Sequence, residues 1–194
     1  MSGALFTGLA VVSLMSYALT LMQRGLGIGL LASAAVIAAW SATSMLVALG
    51  ARRLPTRLTS PIRLAIGLAL AAGGELALTG LGTGSSATRL LPGLLIAGVG
   101  SGIANAALGR LAVESVPREQ AGMGSGANNT ARYLGGAAGV AVVVAVIGAA
   151  GSGTGATPIV HGWNVAALVC AGLCAAGAII AALCRPHASP LAAG

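Results

Sequence analysis

Glu75 is an acid set inside a long apolar run, with Gly73 and Gly74 before it. A carboxylate at that depth of a bilayer is costly unless paired or protonated, which makes it a candidate for ion coupling or substrate contact. The competing account is a Glu facing the bundle interior, with room made by the two glycines. No second acid lies in a span, so this chain alone does not complete a proton relay. Asn105 lies deep in another apolar run, where an amide bonds across helices or meets a polar ligand; helix glue is the stronger account. Trp40 can stack on a substrate or fill a groove, and packing again outweighs. Arg110 and Arg132 fall near expected helix ends, where each can snorkel or pair with Glu114 or Glu119. Tyr17 and Trp163 sit toward the interfaces, where amphipathic rings are common.

Enzyme chemistry has little to stand on. Cys170, Cys174 and Cys184 share the last apolar run, the first two on one helix face, and read as buried inert thiols. His161 and His187 have no ligand-spaced partner. No phosphate loop, metal cluster or nucleophile–base arrangement occurs, so neither an enzyme nor a cofactor is expected. Asn128-Asn129-Thr130 fits a glycosylation sequon, discounted because it falls on the side expected to be cytoplasmic.

The elements that position these residues are long and apolar. Hydrophobic residues make up 57% of the chain, aromatics only 3%, and there are 31 glycines. Mean hydropathy is +0.96. The formal net charge of +7 comes from ten basic residues, all arginine, against three acids. Those arginines flank apolar runs, so they orient helices in a membrane rather than mark a nucleic-acid surface. Six stretches approach the ~20 residues a helix needs to cross a bilayer. The expected fold class is all-α, a polytopic six-helix transmembrane bundle over residues 1–185. Its spans fall at about 3–22, 25–50, 64–82, 90–109, 126–150 and 163–184, followed by a tail at 186–194. The first run is read as a retained helix, since no basic n-region precedes it.

Arginines Arg52, Arg53, Arg57, Arg63, Arg110, Arg118, Arg132 and Arg185 fall on one side of this topology, against Arg24 and Arg89 on the other. The positive-inside rule places the richer side, and with it both termini, in the cytoplasm of a plasma-membrane protein. GxxxG pairs at Gly25/Gly29, Gly98/Gly102, Gly122/Gly126 and Gly135/Gly139 favour close helix contact, though chance matches are frequent in a chain so rich in glycine.

One continuous stretch is more specific. It reads Leu-Leu-Pro-Gly at 90–93, Ala-Gly-Val-Gly-Ser-Gly at 97–102, and, after Asn105, Val-Pro-Arg-Glu-Gln-Ala-Gly at 116–122. Gly-Ser-Gly at 124–126, Asn-Thr-Ala-Arg at 129–132 and Leu-Gly-Gly-Ala-Ala-Gly-Val-Ala at 134–141 complete it. This resembles the major facilitator superfamily, and within it the C-terminal six-helix half of the fourteen-helix drug:proton antiporters. The segment at 51–63 resembles a degenerate copy of the family's cytoplasmic loop, without its usual Asp.

The resemblance implies two inverted three-helix repeats and a substrate held near the midplane between two six-helix halves. It implies export of amphipathic or cationic small molecules by proton antiport. Trp40, Asn105 and Asn129 become candidate cavity-lining residues, with Glu75 as an ionisable contributor. Gly98, Gly100, Gly102 and Gly126 would permit close packing, and Arg118 and Arg132 would anchor the cytoplasmic side. Nothing in the chain resembles the N-terminal half, which in the family carries the proton-coupling acid. A lone chain is therefore expected to be incompetent for coupled export as a monomer, and to need a second copy or another bundle. The rival reading is a non-transporting membrane scaffold that binds another helical bundle through the same small-residue surfaces.

Overall fold

The computed structural model describes residues 2–51, 58–150, 153 and 155–183. Six helices are long and apolar enough to cross a membrane. They are α1 (Ser2–Gly25), α2 (Leu30–Gly50), α3 (Ser60–Ala77), α4 (Ala87–Glu114), α5 (Ala121–Ala150) and α6 (Ala156–Leu183). No strand occurs among the described residues. The expected fold class is therefore the observed one. Arg52, Arg53, Arg57, Cys184, Arg185, His187 and the tail at 186–194 lie outside the described residues.

The breaks follow local chemistry. Gly27 turns the chain between α1 and α2 with φ +65°, a left-handed conformation that a Cβ disfavours. Pro61 sits in the first turn of α3, where its missing N–H costs no hydrogen bond. Pro117 separates α4 from a short 3-10 turn at Arg118–Gln120 that leads into α5. Several bounds differ from expectation by four to seven residues: α2 begins at Leu30, α3 runs over Ser60–Ala77, α4 runs on to Glu114, α5 begins at Ala121 and α6 begins at Ala156.

α1 contains two π-helical segments, Gly8–Val12 and Leu21–Gly25. Such wide turns rotate the side chains that follow them. The Ser13 hydroxyl, just past the first segment, donates to the carbonyls of Leu9 (2.5 Å) and Ala10 (3.0 Å).

Helix pairing repeats within the bundle. α1 packs on α5 and α6, as α4 packs on α2 and α3, and α3 packs on α6. Exchanging the first three helices with the last three maps this pattern onto itself. Among the described residues, the contacts of α5 with α6 and with α4 are closer than their counterparts, α2 with α3 and α2 with α1. This is the arrangement of two three-helix repeats.

Glycine sets the closest approaches, as expected where lipid supplies no hydrophobic drive between helices. At the α3–α4 crossing, a Cβ on Gly67 would lie 2.6 Å from the Ala104 nitrogen, and one on Gly100 would lie 2.6 Å from the Gly67 oxygen. Gly74 and Gly93 face each other one heptad further along. Gly8, Gly135 and Gly139 do the same for α1 against α5. Among the glycines expected to pack, Gly98 and Gly102 meet α2 and Gly100 meets α3, whereas Gly126 has open space around it.

The core lies where α1, α3, α4 and α6 meet, around Leu14, Leu68, Leu94 and Trp163. Trp163 is fully buried beside the end of α3, which stops at Ala77 and frees the Leu78 carbonyl. The indole Nε1 donates to that carbonyl at 3.0 Å. Next to it, Asn164 accepts from the Leu81 N–H at 3.1 Å and donates to the Leu81 carbonyl at 2.9 Å, pinning the α3–α4 connection.

Candidate functional site

α2 and α5 are the two least enclosed helices. Only 11% of the most apolar stretch of α2 and 28% of that of α5 are buried, against 44–56% for the other four. Exposed apolar side chains such as Met45, Leu46, Leu134 and Val142 cover their open faces. Polar groups on or beside these helices are therefore the ones a substrate or a partner bundle can reach.

Arg132 and Asn105 form the most specific contact there. Arg132 Nη1 donates to Asn105 Oδ1 at 3.1 Å, and the guanidinium stands 5.6 Å from the Tyr133 ring centroid. Arg132 is half-buried and Tyr133 is 67% exposed. Arg132 lies eleven residues into α5, about 16 Å from its arginine-rich end at ~1.5 Å per residue. Asn105 lies nine residues before the end of α4, about 14 Å by the same rise. The two side chains therefore meet at matching heights in the arginine-rich half of the bundle. Asn129, one turn before Arg132, is exposed on the same helix.

A cavity of about 550 Å³ opens between α2 and α4 toward the arginine-rich end. Asn105 forms part of its wall, with Met45, Leu49 and Ile103 giving an apolar lining and Arg110 and Glu114 giving charge. Glu114 Oε2 accepts from Ser60 Oγ at 3.0 Å. Arg63, also on this wall, is buried and donates from Nε to the Leu58 carbonyl at 3.0 Å. A second cavity of about 410 Å³, mostly apolar and lined by Phe6, Leu64, Leu108 and Asn128 among others, lies at the same end between α1, α3, α4, α5 and α6.

Trp40 is partly buried at the middle of α2, its backbone carbonyl against Gly98 of α4. Its Nε1–H is buried with no acceptor. Glu75 is 0% exposed and lines neither cavity. Its two oxygens have no well-formed hydrogen bond, and the polar neighbours are the thiols of Cys174 and Cys170, with Ser13 beside the latter. Cys170 and Cys174 are buried free thiols. Arg118 lies exposed in the turn before α5. Among the described residues no group of His, Cys, Asp or Glu could hold a metal ion.

The structure thus joins Asn105 to Arg132 and leaves Glu75 apart from both. Sequence reading did not pick out Ser13, Asn164 or the contact between Asn105 and Arg132.

No curated protein matches the chain. The family model described as Major Facilitator Superfamily matches residues 1–140, which cover α1 to α4 and two thirds of α5. The match includes the Asn105–Arg132 pair and both glycine-lined crossings described above. With six apolar helices in two like-paired triplets, the chain belongs to the major facilitator superfamily, a family of membrane transporters.

Proposed function

We propose that this chain is the C-terminal six-helix half of a proton-coupled exporter of amphipathic small molecules, of the drug:proton antiporter type. Substrate moves between this bundle and a second six-helix bundle that covers α2 and α5. The observation that carries the reading is the exposure of those two helices in a bundle whose other four are well enclosed. A half-transporter needs such a face, because alternating access rocks one bundle against another around a shared midplane site.

We infer that the arginine-rich end faces the cytoplasm of a plasma membrane. Eight arginines stand on that side against Arg24 and Arg89. Glu75 contributes from within the bundle rather than from the cavity wall.

The test is transport in vesicles from cells that express the chain, with the gene-deleted strain as control. Movement of an amphipathic dye that requires a pH gradient and disappears with the gene supports the reading. Stable co-purification of the chain with another helical membrane protein, without any gene-dependent flux, overturns it in favour of a scaffold.

A further inference from the structure

Arg132 is a cation without a counter-charge. A guanidinium has five N–H donors in a planar fork, and one of them is given to Asn105. Asn105 Oδ1 accepts but brings no charge. Glu114 lies nine residues beyond Asn105 on α4, about 14 Å along the helix. Glu119 lies thirteen residues before Arg132, about 20 Å at the same rise. Glu75 is enclosed on α3 against Cys174. Among the described residues, then, no carboxylate reaches the guanidinium. A half-buried guanidinium without a carboxylate gains from an anionic partner brought by a ligand.

The pair is also held in place. Asn105 fixes one edge of the guanidinium and Tyr133 lies beside it. Gly8 of α1 packs directly on the Arg132 backbone. The side chain is half-buried on one of the two open helices. A guanidinium so held calls for an acceptor-rich, negatively charged group, which arginine recognises bidentately. A cationic substrate would meet like charge.

We propose that Arg132, positioned by Asn105, binds the anionic group of an amphipathic molecule: a carboxylate, sulfonate or phosphate with an apolar body. The proposal rests on the transporter reading and names the substrate class for that site.

The test places the purified full chain in phosphatidylcholine nanodiscs and measures binding of decyl sulfonate and decyltrimethylammonium, with empty discs subtracted. The two probes share a tail and differ in charge. Decyl sulfonate is expected to bind at least about tenfold more tightly, as a charge-assisted bidentate contact requires. Arg132→Gln keeps a donor for Asn105 and loses the preference; Arg132→Lys retains part of it. Equal binding of the two probes overturns the proposal, as does unchanged sulfonate binding in a well-folded Arg132→Gln protein. If Arg132→Gln aggregates, the wild-type preference together with Arg132→Lys decides.

Phosphatidylglycerol in the disc separates the two sources of the anion. Displacement of the sulfonate identifies a lipid headgroup phosphate, and no displacement identifies a substrate amphiphile; both outcomes support an anion site. Failure of this proposal is distinct from failure of the transporter reading. Flux of decyltrimethylammonium that is indifferent to Arg132→Gln overturns the site and leaves transport standing. Tight sulfonate binding without any flux does the reverse.

Discussion

Arg132 of α5 donates to Asn105 of α4 across 3.1 Å, tying together the first two helices of the second three-helix repeat. One contact thus joins an enclosed helix to an open one and presents charge to the open face of the bundle. Replacing Asn105 by Asp keeps the shape and supplies the missing counter-charge. Asn105→Asp is predicted to stabilise the protein in detergent by about 1–2 kcal/mol, the range of a hydrogen bond to a charged group. It is also predicted to abolish the preference for anionic amphiphiles. Thermal unfolding followed by size-exclusion chromatography reads the first, and nanodisc binding the second. A lower Tm in Asn105→Asp would mean that the carboxylate does not reach the guanidinium.

The glycines give a paired prediction. Gly100→Ala forces a Cβ against the backbone of α3, so a loss of about 1–3 kcal/mol or outright misfolding is expected. Gly126→Ala meets nothing within 4 Å and exchanges glycine for a better helix former, so stability holds or rises by up to about 1 kcal/mol. Equal effects of the two substitutions on Tm would contradict the crossing geometry.

Asn164 holds the α3–α4 connection through two hydrogen bonds to Leu81. Asn164→Ala removes both and is predicted to cost about 1–3 kcal/mol. Hydrogen exchange at Thr79–Gly84 should accelerate while the middle of α4 keeps its protection. Unchanged exchange in the connection would show that these bonds do not hold it.

Glu75 has no cation beside it among the described residues. The isosteric Glu75→Gln therefore breaks no ion pair, and Tm is predicted to stay level or to rise. A loss beyond about 1.5 kcal/mol, the scale of one charged hydrogen bond, would reveal a partner for the carboxylate.

Much of this architecture is legible in the sequence, because membrane helices announce themselves by length and lack of charge. The six spans, the break at Pro117, and the glycine contacts of Gly98, Gly100, Gly102 and Gly135/Gly139 could all be read from residue order. The start of α5 could not, because Asn128, Asn129, Thr130 and Arg132 together mimic a loop. In the folded bundle these residues line a helix that continues into the apolar run. The Gly67/Gly74 and Gly93/Gly100 heptads were also hidden. Their meaning depends on α3 crossing α4, a tertiary fact that no single run of sequence contains. The burial of Trp163 was hidden too, because it depends on a carbonyl freed 85 positions earlier.

The central claim is that the open face of α2 and α5 borders a substrate path rather than lipid. The most direct measurement is labelling of single cysteines in native membranes by a membrane-impermeant maleimide, in a background lacking the native cysteines. Tyr133→Cys, exposed near the middle of α5, is compared with Leu168→Cys, which is 54% exposed near the middle of α6. The account predicts labelling at position 133, slowed by bound anionic amphiphile, and none at position 168. Equal reactivity at the two positions, or protection of both, would contradict it.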